Sequence, residues 1–326
     1  MKYFQNSIII TIIGLIIALF IGGFQALYIT ALLAILEITL SFDNAVVNAK
    51  ILDTMSPIWQ KRFINFGIPI AVFGMRFLFP LLIVATVADI SIMTTFNLAV
   101  NEPHRYHDIL QSKEELIFAF GGAFLLMVFL DFFFEENEVK WLETIENSKI
   151  TQRLRTVNNI EISLATIIGL VISYLSQNND IVFYYFSGVL LFTLLGSLDS
   201  FLSTDTVRSG IAGFMYLEVL DASFSFDGVI GAFALSSNLF IITIGLGIGA
   251  FFVRSLTLYL VEKKTLQEFI YLEHGAHYAI GTLSFLMFIK IFYHVSEVIV
   301  GSMGLGIILI AFWQSYHQSK KQVKEA

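Results

Sequence analysis

Leu36-Glu37-Ile38-Thr39-Leu40-Ser41-Phe42-Asp43-Asn44-Ala45 places two carboxylates inside a long apolar run. Acids in such a run are costly and mark a function or a charged partner. The pattern returns as Leu220-Asp221-Ala222-Ser223-Phe224-Ser225-Phe226-Asp227-Gly228-Val229. In each copy an acid stands six residues before the Asp of Ser-Phe-Asp: Glu37 before Asp43, and Asp221 before Asp227. One such pair has many explanations. Two at the same spacing, one in each half of the chain, imply an internal duplication.

The rest of the sequence says what the motifs are embedded in. Of 326 residues, 56% are hydrophobic and 14% charged, against roughly 25% charged in soluble domains. This is the composition of an integral membrane protein, and runs this long and apolar fit helices better than barrel strands. The absence of Cys excludes a disulfide framework, a thiolate metal site and a Cys nucleophile. A net charge of −7 argues against nucleic acid as a partner. The first apolar run outlasts a signal-peptide core and has no small-residue cleavage site, so it is expected to be retained.

Windows of crossing length predict about ten spans: Ser7–Gly22, Ala26–Val47, Ile64–Ala85, Glu115–Phe134, Ile160–Leu175, Ile181–Leu198, Gly210–Leu235, Leu239–Leu260, Gly275–Phe292 and Val298–Phe312. Asp89 to Lys113 reads as a polar loop, and the charged stretch 135–159 as a surface helical segment. With both termini in the cytoplasm, the Lys and Arg outside the spans fall on the inside, except Arg105 and Lys113. That is the bias the positive-inside rule expects.

The duplication extends past the motifs. Arg76 in Phe73-Gly74-Met75-Arg76 matches Arg254 in Phe251-Phe252-Val253-Arg254, and Asp131 matches Lys290. The second to fourth spans thus correspond to the seventh to ninth, and alternation gives the copies opposite directions. The predicted fold is an all-α polytopic transmembrane bundle of two inverted repeats, 1–178 and 179–326. Its site is expected near the midplane, where the repeats meet.

Glu37, Asp43, Asp221 and Asp227, with Ser41, Ser225 and Asn44, form a hard oxygen set suited to Mg²⁺, Ca²⁺ or Mn²⁺. Residues six apart on a helix differ by about 600°, so Glu37 and Asp43 point roughly 120° apart if the helix is straight. Both serve one ion only if the helix breaks or the ion is shared between helices. The Ser, Thr, Asn and Gly of the motifs permit such unwinding beside a cavity. Gly228 replaces Asn44 in the second copy, so the half-sites are not equivalent. The competing reading is that the acids are ion-paired with Arg76 and Arg254 and only hold the bundle together. The arginines are expected as counter-charges or as gating partners. Glu218, one turn before Asp221, reads as a ligand, a proton carrier or an interfacial residue. Lys290 reads as a residue with an internal partner.

Other stretches invite chemistry and are better explained by structure. His274 and His277 lack the spacing of a zincin helix and are expected to be interfacial. His104 and His107 read as solvated loop residues. Gly245-Leu246-Gly247-Ile248-Gly249 copies a dinucleotide fingerprint, but no strand precedes it, and close helix packing is expected instead.

Asp43 in Ser-Phe-Asp-Asn-Ala and Asp227 in Ser-Phe-Asp-Gly-Val resemble the paired signature of the TerC family of bacterial integral membrane proteins. Arg76 in its span and the Tyr271-Leu272-Glu273 to Lys290 segment join that resemblance. It covers about Leu32 to Phe312, and Leu36 to Leu52 is most similar to a sub-branch of unknown function. The family is associated with tellurite resistance and, in several members, with manganese export. It belongs with a wider set of inverted-repeat exporters. The resemblance implies that Asp43 and Asp227 are the central ion-binding acids, with Glu37, Asn44 and Asp221 beside them. The chain departs from the family pattern at Asp131, where a basic residue is common, and in its long outside loop and extra spans.

The expected function is therefore secondary transport: export of a divalent cation, Mn²⁺ first, by alternating access. Protons are a candidate coupling ion, because clustered carboxylates push one another's pKa values apart. No nucleotide-binding motif suggests ATP drive. One alternative is an intramembrane aspartyl protease using Asp43 and Asp227, although the Gly-x-Gly-Asp pattern is missing. Another is a metal-stress membrane subunit that transports nothing. The expected setting is the bacterial inner (plasma) membrane. Lipid and the metal substrate are the expected partners, no enzyme activity or resident cofactor is expected, and oligomer formation is left open.

Overall fold

The structure, a computed structural model, describes residues 2–87, 89–136, 139–202, 210–233, 235–236 and 238–325. Arg208 and the side chain of Asp227 lie outside what is described. The chain is helical, with no strand among the described residues. The helices are α1 (Gln5–Leu40), α2 (Phe42–Asp53), α3 (Pro57–Pro69), a π-helical segment (Ile70–Leu78), α4 (Phe79–Val87), α5 (Ile92–Asn101), α6 (Pro103–Gln111) and α7 (Glu114–Phe134). They continue with α8 (Glu143–Glu146), α9 (Lys149–Arg155), α10 (Ile160–Ser176), α11 (Asn179–Leu202), α12 (Gly210–Phe233), α13 (Leu239–Glu262), α14 (Thr265–Glu268), α15 (Leu272–Lys290) and α16 (Glu297–Glu325).

Among the described residues, six helical runs are long and apolar enough to cross a membrane: Gln5–Thr39, Pro57–Thr86, Glu114–Phe134, Asn179–Ser197, Leu239–Glu262 and Ile299–Gln318. The sequence predicts about ten crossings, and the difference has physical causes. The first predicted span and most of the second fall within α1. α10 has only 17 residues. α12 carries Glu218, Asp221 and Asp227, and α15 runs from near Glu273 to Lys290. The outward faces bear large apolar side chains, such as Phe20 (86% exposed), Tyr174 (83%) and Phe183 (70%). A soluble surface rarely tolerates apolar area on that scale, so this is the exterior of a membrane protein.

α1 is 36 residues long and is broken at Gly22 (φ −150°, ψ 26°) and Gly23 (φ 66°, ψ −157°). The positive φ at Gly23 is one that glycine adopts without steric cost. Contacts with α13 show that the chain reverses there. Ser7 donates to the Phe251 carbonyl at 3.0 Å, Gly14 sits against Ile244 and Ile248, and Gly22 lies near Ile241. Beyond the break, Thr30 and Leu33 meet Gly245, and Ala34 and Glu37 meet Gly249. The α13 partner descends along the first limb and ascends along the second, so α1 is a helical hairpin clasping α13.

The glycine run of α13 is the close packing surface expected from the sequence. Gly245 and Gly249 face α1, while Gly247 faces Val72 of the π-helical segment. A Cβ at Gly249 would fall on Cβ and Cγ of Glu37, with the Ala34 carbonyl 3.1 Å away. Gly249→Ala is expected to destabilise the fold by about 1–3 kcal/mol, as overpacking does. A lower Tm of the purified protein in detergent is the readout. An unchanged Tm would mean that α1 is free to move aside.

Two segments differ from their sequence reading. The predicted polar loop Asp89–Lys113 folds into α5 and α6. Ser91 caps α5 by accepting from the Thr94 amide at 3.1 Å, Pro103 opens α6, and Tyr106 and Leu110 are buried. The charged stretch 135–159 is not one surface helix but the short α8 and α9. Ser148 caps α9, which bends by 106° into α10.

Two apolar clusters fill the interior, and both draw on each half of the chain. One includes Ala45, Leu52, Phe124, Leu217, Val253 and Met287, and the other Leu33, Val84, Leu110, Val229 and Leu246. Along α1 and α2, Leu33 belongs to one cluster and Ala45 to the other. Along α13, Leu246 and Val253 are divided in the same way. Glu37, Ser41, Gly249 and Arg254 lie at or near these transitions, which puts the charged residues in a seam between the clusters.

Candidate metal site

Glu37 projects from the last turn of α1 and is 2% exposed. The Ser41 hydroxyl donates to its Oε1 at 2.9 Å, and Arg76 Nη2 forms an ion pair with the same oxygen. Arg76 also donates to the Ala71 carbonyl at 2.7 Å. It reaches both from the π-helical segment, which lies between Pro69 and Pro80. Pro80 has no N–H to offer the Arg76 carbonyl, and the Thr243 hydroxyl lies 3.5 Å from that carbonyl.

Asp221 is the corresponding acid on α12. Its Oδ2 takes Arg254 Nη2 at 2.5 Å, and its Oδ1 accepts from Asn44 Nδ2 at 2.6 Å and Asn48 Nδ2 at 2.8 Å. Arg254 further holds Glu218 Oε1 at 3.2 Å and the Gly67 carbonyl at 3.3 Å, and stacks 3.7 Å from the Phe63 ring centroid. The absence of a side chain at Gly67 makes room, because a Cβ there would stand 2.7 Å from Glu218 Oε1 and 2.9 Å from Arg254 Nη1. The arginines are therefore counter-charges in this state.

Asp43 differs from both. It is 4% exposed, and its one hydrogen bond among the described residues comes from the Asn44 amide, at 2.9 Å. No cation pairs with it among the described residues. The helix breaks at Ser41 (φ −102°, ψ 19°), which puts Asp43 in the first turn of α2, where the N-terminal end of the dipole favours an anion. A cavity of about 20 Å³ adjoins it, walled by Thr39, Phe224, Gly228, Ala279, Leu283 and Gly304 among others. That is room for about one water.

The break at Ser41 does not bring Glu37 and Asp43 to one ion. Glu37 turns to Arg76, Asp43 turns to the cavity, and Gly228 lies between them: a Cβ there would stand 3.1 Å from Glu37 Oε2. α12, in contrast, runs unbroken through Ser225.

Five of the seven predicted ligands thus divide among three places. Glu37 and Ser41 sit with Arg76. Asp221 and Asn44 sit with Arg254. Asp43 stands at its own cavity. Among the described residues, Ser225 Oγ and Asn44 Oδ1 are buried oxygens without a hydrogen-bond partner. The part expected of Asp227 lies outside the described residues. Among those described, no three His, Asp or Glu side chains converge to hold a metal. Sequence reasoning missed Asn48, which is fully buried on Asp221. Its signal was available: it stands one helical turn after Asn44, on the same face.

Lys290 is half-buried at the end of α15, with Nζ 5.1 Å from the Phe118 ring centroid. His274 and His277 are 4% and 8% exposed, buried in the bundle. The Phe132 ring covers both: it stacks on His277 at 3.7 Å and meets His274 edge-on at 5.1 Å. His104 and His107 lie on α6.

No curated protein and no solved structure matches the chain. A family match does exist and covers residues 42–322, from the Phe-Asp of the first motif to near the end of α16. The chain belongs to the family described as Protein of unknown function (DUF475).

Proposed function

We propose that the protein is a secondary transporter that exports a divalent metal cation, with Mn²⁺ as the first candidate, from the cytoplasm across the bacterial plasma membrane. Asp43 is the central ligand. The observation that carries this reading is a buried carboxylate with no cationic partner among the described residues, beside a cavity of about 20 Å³. Burying an unpaired charge is too costly to serve structure alone.

Charge balance supports the same reading. Glu37, Asp43, Glu218 and Asp221 stand against Arg76 and Arg254. At least two negative charges remain to be met, by one divalent cation or by protons. Binding of the ion in exchange for protons follows from that balance.

The inverted-repeat part of this reading, as in TerC-type exporters, draws support from the contacts. Under the match of Glu37 with Asp221 and of Asn44 with Gly228, two contacts occur twice. Each acid pairs with the arginine of its own copy, and each lies against the residue after Ser-Phe-Asp of the other copy. The directions fit as well: the second limb of α1 runs parallel to α13 and the first limb antiparallel.

Purified protein in proteoliposomes tests this reading. Mn²⁺, Ca²⁺, Mg²⁺ and Zn²⁺ are offered in turn across a pH gradient, with flux followed by a trapped metal-sensitive dye. Mn²⁺ flux above empty liposomes, steepened by the gradient, is expected. No flux of any of the four ions refutes the proposal.

A further inference from the structure

A cleft of about 330 Å³ opens among the ends of four helices, walled by Val47, Lys50 and Ile51 of α2 with Thr54, Val128, Asp131 and Phe132 of α7 with Glu135, Tyr216 of α12, and Glu273 and His277 of α15. The sequence expects each of these ends on the cytoplasmic side. They meet in one place, although their positions in the chain are far apart.

His277 is the informative residue. It is 8% exposed, and its Nδ1 is tied to the Glu273 carbonyl at 2.9 Å. That bond needs a proton on Nδ1 and leaves the lone pair on Nε2, the nitrogen on the far side of the ring from the helix backbone. No hydrogen bond reaches Nε2 among the described residues, and the residue lines the cleft. A histidine whose other nitrogen donates to a backbone carbonyl has the arrangement found at metal sites, where the second bond fixes tautomer and ring orientation. Phe132, stacked at 3.7 Å, fixes the ring further.

The surroundings favour a cation. Asp131, Glu135 and Glu273 line the cleft together with Lys50, which is bonded to Glu273 at 2.9 Å across the mouth. The cleft also shares a helix face with Asp43. Asp43, Val47 and Lys50 lie on one face of α2, and seven residues of helix are about 10 Å. Val47, which lines the cleft, is 2% exposed and stands one helical turn after Asp43. On α15, the cleft ends at His277 and the Asp43 cavity begins at Ala279.

We propose that this cleft is the cytoplasmic mouth of the ion pathway and a first binding site, where His277 Nε2 takes a hydrated divalent cation and the nearby carboxylates hold its water shell. A single nitrogen with water-bridged carboxylates needs no convergence of three side chains. This rests on the transport reading for its direction, but not for the binding itself.

The test uses full-length protein in detergent with Mn²⁺ alone as the probe. Nitrogen modulation in the electron spin echo of bound Mn²⁺ is expected in the wild type, and also in Asp43→Asn, whose inner site is disabled. It is expected to vanish in His277→Gln. In proteoliposomes, His277→Gln and Glu273→Gln should raise the half-saturating Mn²⁺ concentration about tenfold at low salt, with a smaller effect at high salt. Glu273→Gln alters a partly exposed residue and guards against a His277 variant that fails to fold. Absence of nitrogen modulation in the wild type, or its persistence in His277→Gln, overturns the mouth site. His277-dependent modulation in a protein that moves no metal keeps the binding site and removes the transport reading instead.

Discussion

Asp43→Asn abolishes Mn²⁺ flux and leaves the protein at least as stable as the wild type. The two halves of this expected result belong together. Removing a ligand at the centre of a site costs more than the 10–100-fold seen for supporting residues, so flux should fall about 100-fold or more, to the level of empty liposomes. Removing a negative charge that has no cationic partner should relieve the fold, because a buried carboxylate accepting one amide hydrogen bond is under-compensated. Asn is nearly isosteric and can still accept from the Asn44 amide. The measurements are the initial rate of Mn²⁺ uptake and the Tm in detergent, made on the same preparation. Full flux sinks the assignment of Asp43. Lost flux with a sharply lower Tm would instead make Asp43 a structural residue whose partner lies beyond the described side chains.

The same residues show what was legible in the sequence. Hydropathy and the repeated acid spacing gave the helices and singled out Glu37, Asp43 and Asp221, because carboxylates are conspicuous in apolar runs. Arg76 and Arg254 were visible for the same reason. Their partners were not, because which helix faces which is a property of packing. That Glu37 would be neutralised while Asp43 would not depends on the break at Ser41, and nothing in Leu40-Ser41-Phe42 forces a break there when Phe224-Ser225-Phe226 continues as helix. The reversal at Gly22-Gly23 was legible, since paired glycines between apolar runs mark a turn. The burial of His274 and His277 was not, because it comes from Phe132 on another helix.

Arg254→Met is expected to be the most destabilising single change in the bundle. Its guanidinium is 3% exposed and serves Asp221, Glu218 and the Gly67 carbonyl at once, with Phe63 beneath it. Methionine keeps much of the stem and its contact with Phe63, so the loss is mainly electrostatic. Breaking a buried pair by removing one partner typically costs about 3–5 kcal/mol, because the other charge is left behind. Here two carboxylates are left. A fall in Tm on the order of 5–10 °C follows for a chain of this size. If the cost is the stranded charge, removing the charge should recover it. Arg254→Met combined with Asp221→Asn and Glu218→Gln should regain most of the lost Tm, whereas additive losses would mean that the arginine acts through packing. The non-additivity is the quantity to measure, since it separates a counter-charge from a filler. It also bears on transport. A rescued triple variant that still carries Mn²⁺ would leave Asp43 as the ligand and reduce the Arg254 cluster to scaffolding. A stable but inactive one would make Asp221 and Glu218 part of the ion's path, with Arg254 holding their charge while the ion is elsewhere.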